Sequence, residues 1–109
     1  MGVASFRAEG LRELAFGSIV AGYTAIGTPF THPISKIYVV NLTDADLKFS
    51  FKAPDDHFVL PSLGFVLYDV STESMDDAYI SIGTQIAVKR LETPTTGSVY
   101  VSASYSKTR

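Results

Sequence analysis

The stretch Gly97-Ser-Val-Tyr-Val-Ser-Ala-Ser-Tyr105 alternates apolar and polar residues without a break. Val99, Val101, Ala103 and Tyr105 fall on one side of an extended chain, and Ser98, Tyr100, Ser102 and Ser104 on the other. Successive side chains of a strand point to opposite faces, so this segment is predicted to be a half-buried β-strand. The pattern recurs upstream, where Leu47, Phe49 and Phe51 alternate with Lys48 and Ser50. Residues 35–42 contain Ile37-Tyr-Val-Val40, which is β-favouring and apolar on both sides, and are expected to form a central strand. Shorter strands are expected over 19–26, 58–60, 65–69, 78–82 and 85–89. Pro29 and Pro33 make 27–33 a loop, because proline cannot donate to an interior ladder. Leu11, Leu14 and Ala15 are spaced like one face of a helix, but Gly10 and Gly17 bracket them closely and extended structure is expected. Residues 71–77 are polar and acidic and read as an exposed loop.

Roughly seven to nine short strands, with turn signals about every ten residues, predict an all-β fold. No crossover helix is long enough for a parallel sheet. The expected architecture is an antiparallel β-sandwich, jelly-roll or Ig-like. Its predicted core is Ile37, Val39, Phe49, Phe51, Phe65, Leu67, Ile86, Val88, Val99 and Val101, spaced by two within each run. At 109 residues this is one domain. Residues 11–109 are expected to make the sandwich and residues 1–10 an extended arm. Phe6 is the arm's one aromatic residue and is expected to anchor it on a neighbouring subunit, beside Arg7. Tyr100, on the serine-rich face of the last strand, is a third candidate interface residue.

The charge is close to balanced, with a net of -2 and a pI of about 5.5. Without a basic stripe, phosphate neutralisation gives no hold on nucleic acid. No window approaches the roughly 20 apolar residues of a membrane-spanning helix, and no membrane partner is expected. The N-terminus does not read as a secretory leader. Cysteine is absent, so neither a disulfide framework nor a thiolate metal site is possible. His32 lies in a proline-bounded loop and reads as structural. His57 follows Asp55 and Asp56, but three adjacent residues cannot converge on one ion from a strand. The pairs Asp44/Asp46 and Asp76/Asp77 fall in polar turns, where solvated carboxylates are the ordinary state. No nucleophile elbow or phosphate-cradling loop is present. Asn41-Leu-Thr43 matches the glycosylation acceptor pattern, which is too common to carry weight alone. No catalytic, cofactor-binding or metal-binding residue is therefore expected, and the protein reads as non-enzymatic.

Several phrases occur in a particular order. They are Ala25-Ile-Gly-Thr-Pro29 with His32-Pro-Ile34; Asn41-Leu-Thr-Asp-Ala-Asp46 with Phe49-Ser-Phe51; Asp56-His57; Gly64-Phe-Val-Leu-Tyr-Asp-Val-Ser71; Gly83-Thr-Gln-Ile-Ala-Val-Lys89; and Pro94-Thr-Thr-Gly-Ser-Val-Tyr-Val101. Together, over about residues 22–105, this set resembles small virion structural proteins of tailed bacteriophages. The resemblance implies a β-sandwich assembly protein located in the virion and made in the host cytoplasm. Its partners would be other virion proteins and copies of itself, in a ring or lattice. A head–tail connector or tail component is the first expectation and a capsid decoration protein the second. A carbohydrate-binding sandwich is a more remote alternative; one Asn, one Gln and no Trp weigh against it.

Overall fold

The computed structural model describes residues 4–69 and 80–108, with side chains for 7–69 and 80–105. The chain is all-β. In chain order the strands are β1 (Ala4–Ala8), β2 (Arg12–Ala15), β3 (Thr24–Ala25), β4 (Lys36–Asn41), β5 (Leu47–Ser50), β6 (Phe58–Leu60), β7 (Phe65–Asp69), β8 (Ala87–Arg90) and β9 (Ser98–Thr108). One sheet has the order β1-β9-β4-β7, with β2 also on β9; the other has the order β3-β8-β5-β6. Every strand pairing is antiparallel. The expected antiparallel sandwich is thus found.

The two sheets close over a core built from the inward positions of β4, β5, β8 and β9. Ile37, Val39, Leu47, Phe49, Val88, Val99 and Val101 have no solvent exposure. Phe30 and Ile34 from the proline loop, with Ile26 and Ile86, fill one end. Phe51, Phe58 and Tyr68 make an aromatic cluster at its margin, with centroids 5.5–5.8 Å apart.

The structure corrects several details. Within 19–26 only Thr24–Ala25 is a strand, although Ile19 and Ile26 are buried. Of the strand expected over 78–82, Ile80 makes an isolated bridge to Ile34, while 70–79, including Tyr79 and the Asp76/Asp77 pair, lies outside the described residues. The phase of β7 is the reverse of that expected. Phe65 and Leu67 are 64% and 56% exposed, whereas Val66 and Tyr68 pack on the core. The run Phe-Val-Leu-Tyr is apolar on both sides, so alternation does not choose between its faces. The choice is made by pairing: Val66 stands opposite the buried Val39, and Tyr68 opposite the buried Ile37.

The arm segment pairs with its own domain. Ala4 to Ala8 lie opposite Thr108 to Ser104 in unbroken register. Between Ala8 and Arg12 the edge strand holds one residue more than β9, since Ala8 faces Ser104 and Arg12 faces Val101. An extra residue of this kind re-aims the side chains that follow it. It turns Arg12 to the inner face while leaving Leu11 on the outer one.

Asn41 is a buried hub at the other end of β4. Its Nδ2 donates to the carbonyls of Ala45 (2.8 Å), Leu60 (3.2 Å) and Pro61 (3.1 Å). Its Oδ1 accepts from the N–H (2.9 Å) and hydroxyl (2.6 Å) of Thr43. An asparagine with no solvent exposure and both ends of its amide engaged is a structural residue, not a glycan acceptor.

Candidate functional site

The outer face of the β1-β9-β4-β7 sheet is the most unusual surface of the molecule. A solvent face of an antiparallel sheet is ordinarily polar. Here register brings Tyr38 opposite Leu67 on one side and Ser102 on the other, and Val40 opposite Phe65 and Tyr100. The Tyr38 and Phe65 rings lie 5.6 Å apart. Leu11, thrown outward beside the extra residue, is 65% exposed. Leu11, Tyr38, Leu67 and Ser102, bordered by Lys36, line a groove of about 310 Å³. Leu11, Tyr38, Phe65 and Leu67 are 65%, 37%, 64% and 56% exposed, so the open apolar area is on the order of a few hundred Å², the size at which surface patches of monomers are often functional.

Behind the groove the sheet edge is held by an ionic junction. Glu9 and Arg12 both face inward, and Arg12 Nη2 lies 3.2 Å from Glu9 Oε1. Arg12 also donates to the carbonyls of Gly10 (2.7 Å), Thr28 (2.7 Å) and Pro29 (3.1 Å). Its guanidinium lies 4.6 Å from the centroid of Phe30. Gly27 has φ 71°, and a Cβ there would come within 2.6 Å of Arg12 Cγ, so both conformation and space require glycine. The other oxygen of Glu9 accepts from the N–H (3.3 Å) and hydroxyl (3.1 Å) of Thr31. His32 Nδ1 stands 2.6 Å from that oxygen and, because a carboxylate only accepts, the imidazole donates. The imidazole stacks on Tyr105 at 3.9 Å. His32 thus ties the proline loop to β9, in keeping with its structural reading.

Burial raises the pKa of Glu9, but the hydrogen bonds from His32, Arg12 and Thr31 outweigh it and hold the carboxyl below its ordinary value of 4.5. A carboxyl depressed on folding stabilises the native state above its unfolded pKa and loses that contribution as pH falls through the folded value. Glu9→Gln is therefore expected to melt below wild type at neutral pH. The gap should narrow as pH drops below about 4.5 towards the folded value. Melting curves of both proteins across acidic pH check this; a gap that does not change with pH contradicts it.

The remaining polar clusters are structural. His57 Nδ1 accepts from the Phe51 N–H (3.0 Å), with Ser50 Oγ 3.3 Å away, and so closes the 50–57 turn. On the outer face of the second sheet, Lys48 and Lys89 stand directly opposite each other. Their repulsion is relieved by Asp56, 3.3 Å from each ammonium. Tyr23 donates its hydroxyl to Asp56 at 2.6 Å. That bond first, and then the two lysines, pull Asp56 down to about 2. Asp44 accepts from Thr95 and Thr96 and is held below its ordinary value by them. Among the described residues, no three His, Asp or Glu side chains gather to hold a metal.

Of the residues singled out in the sequence, Tyr100 lies on the apolar sheet face, half-buried between Val40 and Glu13. Arg7 is exposed on β1 opposite Tyr105, away from the groove. Phe6 is placed by its backbone alone, opposite Ser106. The structure does not bring these three together. Sequence reasoning missed Leu11, Tyr38, Phe65 and Leu67. A signal was present: strands apolar on both sides, in a fold with only two layers, must leave one apolar side uncovered. No family model, curated protein or solved structure matches the chain.

Proposed function

We propose that this chain is a non-enzymatic structural protein that works by subunit–subunit contact, with the outer face of the β1-β9-β4-β7 sheet as its docking face. The observation that carries the reading is the apolar row Leu11, Tyr38, Leu67 and Phe65, open to solvent on a sheet whose inner face already supplies the core. The ordered phrases that resemble tailed-phage virion proteins give the setting: a head–tail connector or tail component, built into the particle beside other virion proteins. The polar clusters support a scaffold role, since each carboxylate among Glu9, Asp44 and Asp56 is bound to donors of its own fold.

Phage particles purified from cells that produce the chain are expected to contain it at a fixed copy number. Leu67→Ser, which removes an exposed side chain, should leave the soluble domain folded within about 0.5 kcal/mol of wild type. It should nevertheless be depleted from particles. Particles that lack the wild-type chain, or that take up Leu67→Ser as well as wild type, contradict the proposal.

A further inference from the structure

Each sheet ends in strands that pair on one side only, and these edges are not alike. A bare edge strand is a template for pairing with another chain, so folds blunt their edges with short strands, proline, charge or an extra residue. In the second sheet β3 has two residues, and β6 has three and runs directly into Pro61. In the first sheet the β1–β2 edge is broken by the extra residue before Arg12 and carries the charges of Arg7 and Glu9. Strand β7 has none of these guards over Phe65-Val-Leu-Tyr68, and among the described residues nothing pairs with its far side. Its inward residues show the opening. Val66 and Tyr68 pack on the core yet stay half-buried, while Val39 and Ile37, opposite them on β4, have no solvent exposure.

The hydrogen bonds of β4 fix which backbone groups that edge presents. The Asn41 N–H donates to Gly64 O at 2.9 Å, one step along from Val40 opposite Phe65. On the other side of β4 the Leu42 N–H donates to Ser98 O at 2.9 Å. Bonded pairs alternate along an antiparallel ladder, so Ile37, Val39 and Asn41 bond towards β7, and Tyr38 and Val40 towards β9. Val66 and Tyr68 therefore direct their N–H and C=O groups to β4, and Phe65 and Leu67 direct theirs out of the open edge. An antiparallel strand is complementary to a copy of itself about a twofold axis. With the axis at Val66, Phe65 faces Leu67 of the second copy, and each such pair exchanges both of its backbone bonds. The opposed side chains are then apolar throughout, Phe65 on Leu67 outside and Val66 on Val66 inside. Moving the axis to Phe65 brings in Leu63, whose φ of 64° is not extended. Moving it to Leu67 sets Phe65 against the Asp69 carboxylate.

We propose that the chain forms a twofold dimer by antiparallel pairing of β7 with β7 of a second copy, in the register centred on Val66. The pairing joins two sheets into one, β1-β9-β4-β7 continuing as β7-β4-β9-β1 of the second copy. It goes beyond the docking-face reading, because it uses the flank of that sheet. The apolar rows of the two copies become one continuous outer surface, which the pair presents to its other partners.

The test uses the full chain, which contains no cysteine, so a single introduced thiol reports a single contact. Directly opposed residues of a non-bonded antiparallel pair have Cα atoms about 4.5 Å apart, within the range a disulfide spans. Val66→Cys should therefore cross-link two copies under mild oxidation. Leu67→Cys, set diagonally from its counterpart at about 7–8 Å, should cross-link about tenfold more slowly or less. Contact between two outer faces would reverse that order, because Leu67 points outward and Val66 inward. In sedimentation over a wide concentration range, wild type should reach twice the 11.8 kDa mass of the chain. Leu67→Pro removes an outward N–H and no bond to β4, so the domain should fold while association weakens by about tenfold or more. Wild type that stays monomeric, Val66→Cys that links no faster than Leu67→Cys, or a folded Leu67→Pro chain that dimerises like wild type overturns the inference. Where Leu67→Pro fails to fold, the order of cross-linking decides. Uptake of the chain into particles is read separately, so the virion reading and this contact can fail independently.

Discussion

Replacing Phe49 with alanine is expected to cost about 3–5 kcal/mol of folding stability. Phe49 has no solvent exposure and sits at the inner face of β5. Its ring stacks on that of Phe58 at 5.1 Å, and across the sheet it stands opposite Val88, itself fully buried. Both neighbours are fixed by strand pairing, so the space left by the ring cannot collapse and the cavity adds to the lost transfer energy. Urea unfolding should show the midpoint falling with the slope unchanged. A loss below about 1 kcal/mol would mean that Phe49 is not enclosed between the sheets.

Asn41→Ala is expected to cost about 3–4 kcal/mol, for a different reason. The substitution takes the donor from the Leu60 carbonyl and the acceptor from the Thr43 N–H, leaving buried polar groups without partners. Two links across the sandwich also go, because Asn41 joins β4 of one sheet to the end of β6 in the other. Thr43→Val, which keeps the Asn41 amide bonded to Leu60 and Pro61, should cost clearly less. Equal losses for the two variants, measured by the same unfolding curves, would contradict the hub role of Asn41.

These two residues also show what could be read before the structure. Phe49 was legible because Leu47, Phe49 and Phe51 alternate with polar residues, and one face is the only burial that fits. Asn41 was not, because its partners lie up to twenty positions away and a buried amide has no periodic signature. Phe65 and Leu67 are expected inside and lie outside, since a run apolar at every position leaves the phase to the neighbouring strand. Glu9 and Arg12 were hidden by the extra residue between Ala8 and Arg12, which breaks the alternation that places side chains. The sandwich depends on many periodic positions and survives such local errors. The apolar outer face depends on the register of two strands and one irregular edge, so it becomes visible only when β4, β7 and the β1–β2 edge are set side by side.

The most direct measurement of the central claim is a density map of the assembled particle, resolved to side chains, with this chain built into it. The account predicts that Tyr38, Leu67 and Leu11 are covered by a neighbouring subunit, in a ring about the tail axis. The same face open to solvent in every copy would contradict it.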